Sequence, residues 1–176
     1  AAAREIALAF GVPSVLLGLP GDAFMSKIFR MAEGGSVMTM TDKGEIREEI
    51  GRLVDDQLGG NSENCFLYAE IAKNSGSAYI LEEGEGRMIF HVAAMEIFCA
   101  AMALWELEPK RRRWQAMRYS MADGKFTAEF DYPKDLDQEE FSGDRAMRVL
   151  REYAGNRAMD NTLEIEKFRR LYGYDI

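Results

Sequence analysis

The sequence predicts an α+β fold, in which an antiparallel sheet built from hairpins packs against helices. Three observations predict it. Residues 114–132 alternate between apolar and polar side chains on both sides of a turn, residues 41–58 have apolar side chains at helical spacing, and residues 92–107 form an apolar helix-like segment between strand-like segments. Helices and strands that occur in separate blocks, with hairpin turns between strands, are typical of α+β domains.

The hairpin is the strongest of these signals. Asp123 and Gly124 lie between two alternating runs, and Asp-Gly in that position is typical of a tight two-residue turn. In the second run two sets of side chains point to opposite faces: Phe126, Ala128, Phe130 and Tyr132 on one, and Lys125, Thr127, Glu129 and Asp131 on the other. The second run therefore has one apolar and one mainly polar face.

An amphipathic helix is predicted near the start of the domain. Thr41 or Asp42 can cap it, and Gly59-Gly60 ends it. The apolar positions that recur at helical spacing are Ile46, Ile50, Leu53, Val54 and Leu58.

Three strands are predicted next, over 65–72, 77–82 and 87–90. Turn-forming residues separate them at 74–76 and 83–86. We expect these strands to be antiparallel.

Three further helices are predicted, over 92–107, 139–154 and 161–171, with a break between the last two at Gly155-Asn156. The first is apolar enough to be the central packing helix. Its expected buried face comprises Met95, Phe98, Cys99, Met102 and Trp105.

The composition limits the classes of function. The chain has 176 residues, of which 47% are apolar, and a net charge of −8. A surplus of negative charge argues against nucleic-acid binding, which needs a basic surface. Two widely spaced cysteines, Cys65 and Cys99, suggest buried thiols in a reducing cytoplasm. The apolar run at 6–19 is too short to span a membrane and lacks a signal-peptide cleavage pattern.

Negative charge is concentrated between residues 123 and 144, a segment that contains eight carboxylates and only two lysines. This concentration indicates either a solvated loop or a surface that binds a basic partner. The predicted partner-binding residues are Asp131, Tyr132, Asp135, Asp137, Glu139 and Glu140.

No pattern of catalytic, metal-binding or cofactor-binding residues stands out, so we predict none of these sites. His91 is the only histidine, and at the expected start of the central helix it is predicted to be structural or exposed to solvent. A calcium loop that began at Asp135 would require Gly at its sixth position and Glu at its twelfth, where the chain has Glu140 and Ala146.

Residues 41 to about 156 resemble the YezG-like family of immunity proteins in the order of their local patterns. The resemblance includes Glu49-Ile50-Gly51 in the first helix, the strand 66–71, Trp114, the turn at Gly124-Lys125-Phe126 and the strand end Phe130-Asp131-Tyr132. It implies a cytoplasmic antitoxin that binds and neutralises a cognate polymorphic toxin, often a nuclease, without catalytic residues of its own.

Residues 1–22 resemble a short segment of tailed-phage portal proteins, through Glu5 to Pro13 and the Leu-Gly-Leu-Pro-Gly-Asp sequence that ends at Asp22. We therefore divide the chain into a leader and linker, 1–40, and a YezG-like domain, 41–176. Two alternatives to the immunity function stay open at this point: an accessory protein of a phage or gene-transfer particle, and a small-molecule enzyme.

Overall fold

The computed structural model describes residues 42–73 and 75–173, which form four α-helices and six β-strands. The predicted leader and the alternative cap Thr41 lie outside the described residues. The helices are α1 (Lys43–Gln57), α2 (Met95–Glu106), α3 (Ser142–Ala154) and α4 (Thr162–Tyr172). The strands are β1 (Asn64–Ala72), β2 (Ser75–Glu83), β3 (Arg87–Val92), β4 (Ala116–Ala122), β5 (Lys125–Asp131) and β6 (Ala158–Asp160).

All six strands belong to one sheet with the order β5-β4-β1-β2-β3-β6. The five longer strands pair antiparallel, whereas the short β6 pairs parallel with β3. β1 lies at the centre, and every residue from Cys65 to Ile71 is buried, because helices cover both faces of the sheet there. The predicted α+β class is confirmed, with one parallel pair in addition.

Helix α1 packs on one face of the sheet. Asp42 caps it, since its Oδ1 accepts hydrogen bonds from the backbone N–H groups of Gly44 (2.7 Å) and Glu45 (3.2 Å). The predicted apolar stripe is confirmed: Ile46, Ile50, Val54 and Leu58 are buried and Leu53 is partly buried.

Helix α2 packs beside α1 on the same face, and two details of its prediction were wrong. The helix begins at Met95, so that His91 and Val92 belong to β3. It buries Ile97, Cys99, Ala100, Ala101 and Leu104, whereas Phe98, Met102 and Trp105 are only partly buried. Small alanine side chains let the helix approach the sheet closely, and the larger side chains fill the periphery.

His91 is thus buried in a strand, and not at a helix start. The residue is 7% exposed, and its Nε2 lies 2.9 Å from Oε2 of Glu82 on the neighbouring strand β2. A local carboxylate partner accounts for this single histidine, which takes a structural position in the sheet.

Helix α3 covers the opposite face of the sheet. Its side chains Ala146, Val149, Leu150 and Ala154 pack against Phe66, Tyr68, Leu81 and Met88 of the strands. Phe66 also stacks on Tyr153, with ring centroids 4.2 Å apart. The helix begins three residues later than predicted, because the segment before it has a fixed irregular conformation that is described below.

The hairpin of β4 and β5 is confirmed. Asp123 and Gly124 both have positive φ angles, 52° and 68°, as a tight turn of this type requires. Phe126 stacks on Tyr119 at 5.2 Å, and Phe130 contacts Trp114 at 5.3 Å between ring centroids. These aromatic side chains lie on the face that α1 covers.

The first hairpin turn is tighter than predicted. Ser75 and Gly76 already pair with Ala72 and Ile71, so they belong to β2 and not to the turn. Gly76 is required there because a Cβ atom would lie 2.5 Å from the backbone oxygen of Glu70.

Helix α4 follows β6 and lies against β3. Among residues 42–73 and 75–173, none of the helices is both long and apolar enough to cross a bilayer.

Candidate protein-binding surface

The segment 131–140, which we call the acidic loop, leaves the end of β5 and leads to α3. Asp131 at its start pairs across the sheet with Ala116, the first residue of β4. Its Oδ2 accepts a hydrogen bond from Nε of Arg118 at 3.0 Å. This carboxylate is therefore partly buried in an ion pair within the chain.

A short 3₁₀ turn over Pro133–Asp135 forms the next part of the acidic loop. The Asp135 side chain accepts a hydrogen bond from the backbone N–H of Tyr132 at 3.1 Å, and the Asp135 N–H donates to the carbonyl oxygen of Tyr132 at 2.8 Å. The two reciprocal bonds fix the turn, and Tyr132 is 36% exposed.

Asp137 and Gln138 stabilise the middle of the acidic loop. Oδ1 of Asp137 accepts a hydrogen bond from the backbone N–H of Glu139 at 2.9 Å, an Asx turn. The amide of Gln138 donates to the carbonyl oxygen of Pro133 at 2.8 Å and to the side chain of Gln115 at 3.2 Å. The side chains of Asp137 and Gln138 thus bond within the loop and to the residue that precedes β4.

Arg145 of α3 anchors the acidic loop from below. Only 2% of this residue is exposed, and its Nη2 donates to the carbonyl oxygens of Asp137 (2.8 Å) and Glu140 (2.7 Å). Its Nε also donates to the Glu140 side chain at 3.3 Å. A buried guanidinium that bonds to two backbone carbonyls holds the loop conformation, because releasing either carbonyl would leave a buried donor without a partner.

The Glu140 carboxylate also pairs with a second arginine, Arg148. Nε and Nη2 of Arg148 each lie 2.9 Å from one of its two carboxylate oxygens, in bidentate geometry. The hydrogen bonds from Arg148, together with those from Arg145, lower the pKa of Glu140 below its ordinary value.

A buried carboxylate, Glu70 of β1, lies behind Arg145. Its Oε2 is 3.7 Å from Nη1 of Arg145, while its Oε1 accepts a hydrogen bond from the Tyr68 hydroxyl at 2.7 Å. Burial raises the pKa of Glu70, because it disfavours the charged carboxylate, while the Tyr68 hydroxyl and the nearby Arg145 oppose the shift. Tyr68, Glu70 and Arg145 therefore form a buried polar network that connects the centre of the sheet to the acidic loop.

The six predicted partner-binding residues are adjacent in the structure, but their charges are not equivalent. Asp131 and Glu140 pair with arginines of the same chain, whereas Asp135, Asp137 and Glu139 are exposed and have no ion-pair partner in the described part of the chain. The accessible negative charge is thus limited to three carboxylates, with the Tyr132 ring beside them.

Cations flank the acidic loop at the same end of the sheet. Lys110, Arg111 and Arg112 form a short exposed turn directly before β4, and Gln115, which follows, donates its backbone N–H to the carbonyl oxygen of Asp131 at 2.8 Å. Arg113 lies over the ring of Trp105 at 3.9 Å. Exposed cations thus precede β4 at the end of the sheet where the acidic loop leaves β5.

Sequence reasoning did not identify Arg145, Glu70 or the adjacent cations as parts of this surface. A signal was present for Arg145, which interrupts the apolar stripe of Ala146 and Val149 on α3. Likewise, Glu70 is the one charged residue in the buried run of β1. A charged side chain within an apolar pattern predicts a buried ion pair or polar network.

The described residues contain no group of three or more His, Cys, Asp or Glu side chains that could hold a metal ion. The two cysteines are buried free thiols, and burial raises the pKa of each to about 12. These thiols are poor nucleophiles, and the surface can act chemically through charge, hydrogen bonding and aromatic contact.

Comparison of the chain with protein-family models gives no match, and comparison with curated proteins gives none either.

Proposed function

We propose that this chain is an immunity protein, which neutralises a cognate toxin domain by direct binding through the acidic loop. The observation that carries the proposal is the fixed conformation of exposed carboxylates on that loop, held by the buried Arg145. A binding loop that is already ordered loses little conformational entropy when it meets its partner, so its contacts contribute more fully to affinity.

The exposed side chains suit a basic partner. Asp135, Asp137 and Glu139 would steer a cationic surface toward the loop and raise the rate of association. Tyr132 supplies a partly exposed aromatic ring, the type of side chain that often anchors a protein interface. The resemblance of residues 41–156 to YezG-like immunity proteins supports the same function.

The adjacent cations Lys110, Arg111 and Arg112 would add selectivity to this interface. A partner must place negative groups opposite them while it places positive groups opposite the acidic loop, and partners with uniform positive charge would be repelled. Action against a toxin inside the cell would locate the chain in the cytoplasm, which suits its two free thiols.

The test starts with affinity capture by the full chain from lysate of its source cells, at low and at high salt. The captured protein is then expressed with and without this chain. We expect a protein that arrests growth alone and loses toxicity when the chain is present. A captured protein that is harmless on its own would contradict the immunity function. Capture of particle proteins that depends on residues 1–22 would instead support the accessory role.

The location of the interface is tested by charge reversal. We expect the double variant Asp135→Lys/Asp137→Lys to weaken toxin binding and to slow association. The matched control is Glu63→Lys/Glu85→Lys, which changes the net charge equally with exposed residues at the opposite end of the sheet. Equal effects of the two variants would show a dependence on net charge alone, and an unchanged affinity in the first would exclude the acidic loop as the interface.

A further inference from the structure

The strand β5 is one edge of the sheet. In the described part of the chain, β4 pairs with its inner side and no strand pairs with its outer side. The outer side of an edge strand presents backbone N–H and C=O groups that can pair with another strand. β5 has seven residues, contains no proline and no bulge in its register with β4, and so offers a regular edge.

The hairpin turn determines which backbone groups face outward. The turn has two residues, so the flanking residues Ala122 and Lys125 form a hydrogen-bonded pair. Hydrogen-bonded and non-hydrogen-bonded pairs alternate along an antiparallel ladder. The backbone groups of Lys125 and every second residue after it therefore face β4, whereas those of Phe126, Ala128 and Phe130 face outward.

We propose that β5 pairs antiparallel with β5 of a second copy of this chain, about a two-fold axis at Ala128. Ala128 would then exchange two hydrogen bonds with Ala128 of the second copy. Phe126 would exchange two hydrogen bonds with Phe130 of the second copy, and the two-fold axis generates the same two bonds between Phe130 and Phe126 of the second copy. All outward backbone groups of the strand are satisfied in this register, and the two sheets become one.

The side chains of β5 are self-complementary in this register. Lys125 lies opposite Asp131 of the second copy, and Thr127 lies opposite Glu129 of the second copy, so no like charges meet. On the other face, Phe126 lies opposite Phe130 of the second copy. Phe126 is 38% exposed in the single chain, and a cross-strand aromatic contact would cover it.

Neighbouring registers lack this complementarity. A two-fold axis at Glu129 would place two glutamates directly opposite each other. An axis at Thr127 would place Asp123 opposite Asp131 of the second copy and Phe130 opposite Gly124. Only the axis at Ala128 pairs the whole strand with opposite charges at its ends. The proposal is independent of the proposed toxin binding.

The first test is sedimentation equilibrium of the full chain across the micromolar range. We expect a monomer–dimer equilibrium, and we expect Ala128→Pro to raise the dissociation constant at least about tenfold, since two symmetric hydrogen bonds are lost. Proline is tolerated where the N–H faces solvent, so the variant monomer keeps its fold, which circular dichroism verifies. A chain that stays monomeric throughout, or a dimer that Ala128→Pro leaves intact, would overturn the proposal.

The second test exchanges charges across the axis. Lys125→Asp and Asp131→Lys should each weaken the dimer, and the double variant should recover much of the affinity. Within one chain these residues are six positions apart along a strand, about 20 Å, so recovery can arise only between copies. Additive losses in the double variant would exclude this register. If the chain is monomeric and captures another protein from lysate, and if Ala128→Pro abolishes that capture, then β5 pairs with a strand of that other protein and the dimer proposal is wrong.

Discussion

Replacement of Arg145 by methionine tests the role assigned to the buried polar network. Methionine has a similar length and no charge, so the substitution removes two bonds to loop carbonyls (2.8 and 2.7 Å), the pair with Glu140 and the approach to Glu70. Removing one partner of a buried ion pair destabilises proteins by about 3–5 kcal/mol. Glu70 keeps its bond from Tyr68 and can take up a proton, so we expect a loss near the lower limit, about 3 kcal/mol.

Urea unfolding followed by tryptophan fluorescence measures this loss at neutral pH. With the slopes usual for small proteins, a loss of about 3 kcal/mol lowers the midpoint by roughly 1–3 M. The matched control is Arg148→Met, which removes the other arginine of Glu140 from an exposed position and should change the free energy of unfolding by at most about 1 kcal/mol.

A double-mutant cycle tests the connection to the sheet. Glu70→Leu combined with Arg145→Met should destabilise the protein less than the sum of the two single substitutions. Each single substitution leaves one buried charge without its partner, whereas the double variant contains neither charge. A loss in Arg145→Met no larger than in Arg148→Met, or strict additivity in the double variant, would refute the reasoning about Arg145. The affinity of Arg145→Met for the proposed toxin partner should also fall, because the acidic loop would lose the hydrogen bonds from Arg145.

Three further predictions concern the core. Gly51→Ala should destabilise the protein by about 1–3 kcal/mol, because the added Cβ would lie 2.6 Å from the Tyr119 hydroxyl oxygen. In a Tyr119→Phe background, which lacks that oxygen, the same substitution should stabilise the protein by up to about 1 kcal/mol. Thermal unfolding measures both effects, and a change of the same sign in both backgrounds would contradict this explanation. Cys65 and Cys99 should not react with a thiol reagent at pH 8 in the folded chain, since a pKa of about 12 leaves about one thiolate in ten thousand. Both cysteines should react in denaturant. Rapid labelling of the folded chain would disprove their burial. Since burial raises the pKa of Glu70 above its ordinary 4.5, the contribution of Glu70 to stability is complete below about pH 4.5 and is lost as the pH rises through the folded pKa. In Glu70→Gln the free energy of unfolding should not decline over this pH range. If the free energy of unfolding depended on pH in the same way in both proteins, the raised pKa would be contradicted.

Local sequence was sufficient for most of the fold. The turn at Asp123-Gly124 and the alternation after it depend on neighbouring residues only, and the structure has both. The same is true of the stripe from Ile46 to Leu58 in α1. Helix α2 differs because nearly all of its side chains are apolar, so periodicity does not distinguish its faces. Its buried face combines the small side chains Ala100 and Ala101 with the larger side chains of Ile97 and Leu104.

The candidate surface was only partly predictable for a related reason. The concentration of carboxylates is visible in the sequence, but which of them are neutralised depends on arginines that folding brings near. Arg118 reaches Asp131 across a hairpin, and Arg145 and Arg148 reach Glu140 from the next helix. Such pairings cannot be read from the spacing of residues, although the position of Arg145 in an apolar stripe indicates that it is buried.

The central position of β1 has a consequence for folding during synthesis. β1 can pair with β2, and β2 with β3, as soon as these strands have left the ribosome, and α1 and α2 can then cover one face of the three strands. The other face, with Phe66, Tyr68 and Leu81, is covered by α3, which is made much later. A nascent chain that stops before α3 thus presents an apolar sheet surface to solvent, and we expect general chaperones to bind this intermediate until α3 emerges.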